Sequence, residues 1–240
     1  MSTETHSITA NIERIRERLA RAAARAGRGA GETTIVAASK TFPAEAIREA
    51  FETGVREFGE NRVQEWESKQ TRLADLDAKW HLIGHLQGNK ARRAAHLFDR
   101  IDSVDRWSLA QKLDSAAEDE GKRLPVLIEV QLGNEASKSG IEEPGLAALA
   151  EGITALPRLE LLGLMTIPPY FEDAEKIRPY FRRLRELRDD LSHALDCSLP
   201  VLSMGMSHDF EVAIEEGSTE VRIGRAIFGA RAATREQAAG

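Results

Sequence analysis

Cysteine is almost missing from this chain. The single Cys197 among 240 residues cannot form an internal disulfide, and no cysteine pair is present for zinc. Both absences fit a reducing cytoplasm. Cys197 has no His or Asn signature beside it, so it is read as structural rather than as a nucleophile. Long apolar runs are missing as well: no stretch approaches the length that spans a bilayer, and Met1 to Ala10 carries no apolar signal core. The expectation is therefore a cytoplasmic protein without a membrane segment. Positive charge is in deficit, with 33 Lys and Arg against 39 Asp and Glu and a net charge of -6. That balance argues against a nucleic-acid binder that relies on a broad basic face. No Pro/Gly/Ser-rich linker divides the sequence, so residues 1–240 are expected to form one domain, frayed at 1–7 and 234–240.

What is present suits a single sizeable soluble domain: 42% hydrophobic and 30% charged residues. Apolar runs recur at about 33–39, 57–59, 79–84, 100–104, 124–132, 159–167, 201–205 and 220–224. A first helix is expected over Ile8 to Ala26, with Ile12, Ile15 and Leu19 on one face and Gly27 past its end. Further helical segments fall at about 44–53, 61–75, 88–96, 106–120, 142–155, 172–195 and 208–216, with a last turn in Arg225 to Gly229. Strands alternating with helices imply parallel β-α-β units. Eight such units behind one leading helix predict an α/β fold, a single (β/α)8 TIM barrel with an extra N-terminal helix. A doubly wound open sheet is the competitor, but it would carry a glycine-rich turn after its first strand. Lys40-Thr41-Phe42-Pro43 stands there instead.

In such a barrel the functional residues sit where strands end and helices begin. The strand ends supply Lys40, then Glu60 and Asn61, Gly84 and His85, Ser103 and Asp105, Asn134 to Lys138, Met165 and Thr166, Ser203 to Ser207, and Gly224 and Arg225. Lys40 closes the run Thr34 to Ser39 at the mouth of an apolar core. A lysine there either snorkels to water or serves as a partly desolvated amine, the kind that attacks aldehydes to form a Schiff base. After the seventh strand, Ser207 offers a hydroxyl, read either as a helix N-cap with Asp209 in the first turn or as an anion ligand. After the eighth, Gly224 lets backbone approach a ligand, and phosphate recurs at the loops after strands seven and eight of this barrel. Arg222 lies between Val221 and Ile223, where a permanent guanidinium needs either an inward carboxylate or a ligand.

Several stretches then match one family. They are Ala38-Ser39-Lys40-Thr41, Phe58-Gly59-Glu60-Asn61 with Val63-Gln64-Glu65, Trp80 to Gly84 with Leu86-Gln87 and Asn89-Lys90, and Ser137 to Gly140. Gly163 to Pro168, Leu202 to Ser207 and Val221 to Gly224 with Ala226 to Gly229 complete the set. With these, the chain resembles the pyridoxal 5'-phosphate homeostasis proteins (the YggS/PROSC family), similar in fold to the N-terminal barrel of alanine racemase, a fold-type III arrangement. The resemblance implies pyridoxal 5'-phosphate as cofactor, a Schiff base at Lys40, and a phosphate held by Ser207 with the backbone of Gly224 and Arg225. It implies Arg222 facing the pyridine nitrogen, and Asn61 and Met204 lining the pocket. Three departures stand out: Arg62 where the family often has Tyr, His85-Leu86-Gln87-Gly88 for Pro-Leu-Gln-Ser, and Arg225 for Thr. The last removes a hydroxyl from the phosphate contact, and His85 is read as a polar rim residue.

The resemblance implies a protein that carries or buffers the cofactor, contributing to amino-acid and keto-acid homeostasis, without strong turnover. The alternative is a pyridoxal-phosphate-dependent amino-acid racemase. That reaction needs a second base, and only Tyr170 and Tyr180 are present, of which Tyr170 lies nearer the rim. The expected partners are the cofactor itself and pyridoxal-phosphate-dependent apoenzymes, with no metal, nucleic acid or membrane and a monomeric state. Lys138, in the loop after strand five, is a candidate relay amine.

Overall fold

The computed structural model describes residues 7–133 and 139–229. Lys138, residues 1–6 and the tail from 234 lie outside the described residues. Ser7, expected to be frayed, instead caps the first helix: its side chain accepts from the Ala10 amide at 3.2 Å. The strands are β1 (Thr34–Ala38), β2 (Glu57–Glu60), β3 (Lys79–Leu82), β4 (Arg100–Val104), β5 (Leu124–Glu129), β6 (Leu159–Met165), β7 (Val201–Ser203) and β8 (Glu220–Ile223). Each pairs in parallel with the next, and β8 returns to β1, so the sheet closes into a barrel.

The helices are α1 (Ile8–Arg25), α2 (Ala44–Glu52), α3 (Val63–Lys69), α4 (Ala91–Leu97), α5 (Trp107–Asp119), α6 (Glu143–Thr154), α7 (Arg178–Ala194), α8 (Phe210–Glu215) and α9 (Arg225–Phe228). The eight expected strands and the leading helix are all in place. Three expected helices are broken by tighter 3-10 turns, at Gln70–Arg72 after α3, Gly88–Lys90 before α4 and Ala174–Ile177 before α7. Pro179 in the first turn of α7 fits there because the lost N–H would have had no intrahelical partner.

Strand alternation divides the side chains into two sets. Ala37, Phe58, Trp80, Ile101, Leu164, Leu202, Val221 and Ile223 face outward and are buried with the apolar faces of the helices. The inward set is polar in the half of the barrel nearer the strand starts, where such barrels usually place branched apolar side chains. Arg100 donates to both oxygens of Asp102 at 2.6 and 2.9 Å and also bonds Glu220. His81 stands 3.4 Å from Glu57 and 3.7 Å from Asp102. Burial alone would push the Asp102 carboxyl up; the Arg100 guanidinium beside it overrides this and holds it low. Glu57, His81 and Glu220 bring ligand-type atoms within 4.8 Å of one another, but Arg100 already supplies the positive charge there.

Helix α1 braces the last units of the barrel. The Asn11 amide donates to the Ile227 carbonyl at 2.9 Å, and Arg18 pairs with Glu211 at 2.7 Å while lying over the Phe210 ring. Among the described residues no helix is long and apolar enough to cross a membrane.

Candidate active site

A cavity of about 820 Å³ lies at the C-terminal ends of the strands. Lys40, Asn61, Ser207, Arg222, Gly224 and Arg225 all line it. Met204, expected with them, does not reach it. Alternation turns Ser203 inward and Met204 outward, where it is buried in the apolar layer.

Lys40 follows directly on β1. The Ser39 amide donates to the Gly59 carbonyl at 2.9 Å, which extends the β1–β2 ladder by one residue. The chain then turns: Thr41 takes φ +68° and the Phe42 amide returns to the Ser39 carbonyl at 3.1 Å. Phe42 stacks on Phe228 with ring centroids 4.7 Å apart, which ties the Lys40 turn to α9. Asn61 leaves β2 against the backbone of the β3 exit. A Cβ at Gly84 would lie 2.4 Å from the Asn61 carbonyl oxygen, so only glycine allows that approach.

At the other wall, the Ser207 hydroxyl accepts from the Ala226 amide at 3.3 Å, in the first turn of α9. The alternative role of Ser207, capping the helix that follows it, is not what the structure shows. Asp209 occupies the N-cap position of α8, and its carboxylate accepts from the Met206 amide at 2.6 Å. Burial pushes the Asp209 carboxyl up, against that amide and Arg222.

Arg222 forms part of the cavity wall. Its guanidinium donates to the Ser203 hydroxyl at 2.7 Å and to the Thr166 carbonyl at 2.7 Å. Both acceptors are neutral; Glu220, Asp102, Glu129 and Asp209 act on it at longer range, against a burial that lowers its pKa. Of the two readings for Arg222, a direct pair with an inward carboxylate is therefore not formed.

Glu129 was not singled out from the sequence. It is the last residue of β5, 4% exposed, and lines the cavity; its Oε2 has no hydrogen-bond partner among the described residues. Burial pushes its pKa up to about 7; Asp105 pushes the same way and Arg222 opposes. The available signal was a charged residue inside an apolar run. His85 sits at the mouth with Nδ1 3.3 Å from Asp105, which also pairs with Arg106, an arrangement that suits a polar rim. Tyr170 lines the mouth but is 73% exposed, with its ring 5.5 Å from that of His208. Tyr180 stacks on Phe171 instead.

The site thus gathers a primary amine, a buried guanidinium, a hydroxyl beside helix-start amides and a carboxyl poised near neutrality. That donor set fits a compact phosphorylated aldehyde: an amine for the carbonyl carbon, and a hydroxyl with close-approach backbone at Gly224 for the anion.

A family model described as the alanine racemase N-terminal domain matches residues 8–232. A protein of Aquifex aeolicus named pyridoxal phosphate homeostasis protein is 50% identical over 220 residues, 92% of this chain and 96% of that relative. One of the same name from Pseudomonas aeruginosa is 47% identical over 225 residues, covering 94% and 96% of the two chains. Among solved structures, PipY of Synechococcus elongatus with PLP bound superposes with a TM-score of 0.83 at 38% identity, covering 93% of this chain and all of that one. An alanine racemase of Clostridium difficile shares the fold, with a TM-score of 0.74 at 14% identity, and this chain spans 56% of its length.

Proposed function

The chain belongs to the alanine racemase N-terminal domain family, among the pyridoxal phosphate homeostasis proteins, and from that premise we propose that it binds and carries pyridoxal 5'-phosphate. The observation that carries the reading is that Lys40 shares one cavity with Ser207, Gly224, Arg225 and the buried Arg222. Lys40 Nζ would condense with the cofactor's aldehyde carbon, the carbonyl oxygen leaving as water, and the Schiff base so formed would hold the cargo covalently yet release it on hydrolysis. Ser207, with the amides of Gly224 and Arg225, receives the phosphate, and the Arg225 guanidinium stands where it can add charge. Arg222 would face the pyridine nitrogen and Asn61 the ring.

Arg222 also favours carriage over turnover. A guanidinium cannot give up a proton to the ring nitrogen, so it leaves that nitrogen unprotonated and the ring a weak electron sink. A racemase additionally needs a second base, and Tyr170 stands out in solvent at the mouth, where water weakens electrostatic control of a carbanion. The protein acts as a monomer in the cytoplasm, handing its cargo to pyridoxal-phosphate-dependent apoenzymes.

The test is spectroscopic. Protein loaded with the cofactor absorbs in the visible, borohydride fixes the adduct on Lys40 as read by mass spectrometry, and Lys40→Ala abolishes both signals. No adduct at Lys40 in the wild type would remove the proposal. Conversion of L-alanine at ordinary enzyme rates would instead favour the racemase.

A further inference from the structure

A second cluster of ionisable side chains lies just behind Lys40, outside the cavity wall. Lys69, the last residue of α3, is almost fully buried. Its ammonium donates to three oxygens: Glu65 Oε1 at 2.7 Å, Glu60 Oε1 at 3.0 Å and the backbone carbonyl of Ser39 at 3.2 Å. Glu65 Oε1 also accepts the backbone N–H of Thr41. Glu60 Oε1 accepts the Ser39 hydroxyl at 2.7 Å. The contacts therefore fall on Ser39 and Thr41, the residues immediately before and after Lys40.

We propose that Lys69, Glu60 and Glu65 form a clamp on the backbone flanking Lys40, and that Lys69 and Glu65 are positioning residues for its amine. Two features argue that more than packing is at stake. Thr41 holds φ +68°, a left-handed conformation that a β-branched residue adopts only when its surroundings impose it. The Glu65 acceptor on its N–H and the Lys69 donor on the Ser39 carbonyl hold that conformation together with the Phe42 amide, which closes the turn on the same carbonyl. Moreover, burying an ammonium among carboxylates is costly, and apolar side chains of similar volume would tie α3 to the barrel as well or better. Burial raises the pKa of Glu60, whose second oxygen has no partner among the described residues, so that cost is visible in the cluster itself. What an apolar contact could not do is bond a specific carbonyl and a specific N–H one residue to each side of Lys40. Imine formation at an aldehyde requires the attacking nitrogen to be held in line with the carbonyl carbon, and small misplacements cost large factors in rate.

The inference rests on the Schiff-base reading of Lys40, and the experiment separates the two. Binding is measured for pyridoxal 5'-phosphate and for pyridoxine 5'-phosphate, which keeps the ring and phosphate but lacks the aldehyde. In Lys69→Met and Glu65→Ala the Kd for the aldehyde-free ligand is expected to stay within about twofold. The rate of imine absorbance growth is expected to fall by about ten- to a hundredfold, with the Kd for pyridoxal 5'-phosphate rising about tenfold. Glu65→Gln, which keeps an acceptor for Thr41, should retain most of the wild-type rate. Equal weakening toward both ligands, or no change toward either, overturns the clamp. A wild type that binds both ligands alike and yields no Lys40 adduct overturns the underlying reading instead. Should Lys69→Met not fold, the Glu65 pair decides the question alone, since Glu65 is the more exposed arm of the cluster.

Discussion

Glu129 is the residue whose ionisation the fold most visibly opposes. An exposed glutamate titrates near 4.5; burial and Asp105 bring this one up to about 7. The native state therefore binds a proton that the unfolded chain has already released between those two values. Stability is fully present below about 4.5, declines as pH rises, and is flat above about 7. The interval corresponds to roughly 3 kcal/mol. Glu129→Gln keeps the shape and removes the charge, so its urea-unfolding free energy should exceed that of the wild type by a few kcal/mol at pH 8 and match it near pH 4.5. An equal wild-type–variant difference at both pH values would contradict the assignment. The same carboxylate repels an anion entering the cavity. Sulfate, whose charge is constant over this range, should bind the wild type more weakly at pH 8 than at pH 6, and Glu129→Gln should lose most of that dependence.

Among the elements, β6 and β7 meet at a point where only a glycine fits. Gly163 pairs with Val201, and a Cβ at Gly163 would lie 1.9 Å from the Val201 carbonyl oxygen. Backbone cannot yield as a flexible side chain would, so Gly163→Ala should cost about 3 kcal/mol or more, at or above the upper end for overpacking. A chemical denaturation midpoint like that of the wild type would refute this. β1, β5 and β6 were legible as short apolar runs bounded by charge, glycine or proline, whereas β2, β3, β4 and β8 alternate apolar residues with the charged or polar ones that point inward and were legible chiefly from their place between helices. The cavity was legible because barrel chemistry collects at strand exits, so Lys40, Asn61, Ser207, Arg222 and Gly224 could be named in advance. Met204, placed in the pocket by the family resemblance alone, lies in the apolar layer instead, on the opposite face from Ser203. The Lys69 contacts join residues 9 and 30 positions apart on separate elements, and no local pattern displays such a pairing. Glu129 could have been noticed as a charge inside a strand, but its missing partner is a property of three-dimensional packing.

Taken as a whole, the barrel is an ionic plug below and a binding cavity above, joined through one hydrogen-bonded chain. Arg222 in the cavity wall donates to Ser203, Ser203 donates to Glu220, and Glu220 accepts from Arg100, which also bonds Asp102. The floor beneath the cofactor-sized space is therefore set by charge pairing, and its rigidity depends on Arg100. Removing that guanidinium strands Asp102 and Glu220 in the interior, a loss that typically costs about 3–5 kcal/mol. Arg100→Met should lose roughly this much at pH 7.5. Asp102 is depressed by Arg100 in the wild type against a burial that raises it, so without Arg100 its carboxyl titrates higher. The variant then recovers stability as pH falls, because protonation discharges the buried Asp102. Its deficit relative to the wild type should be smaller at pH 5 than at pH 7.5 when both proteins are unfolded in urea. A deficit below about 1 kcal/mol, or one that does not shrink on acidification, would mean that the plug is not held by this pairing and that the floor of the site has another support.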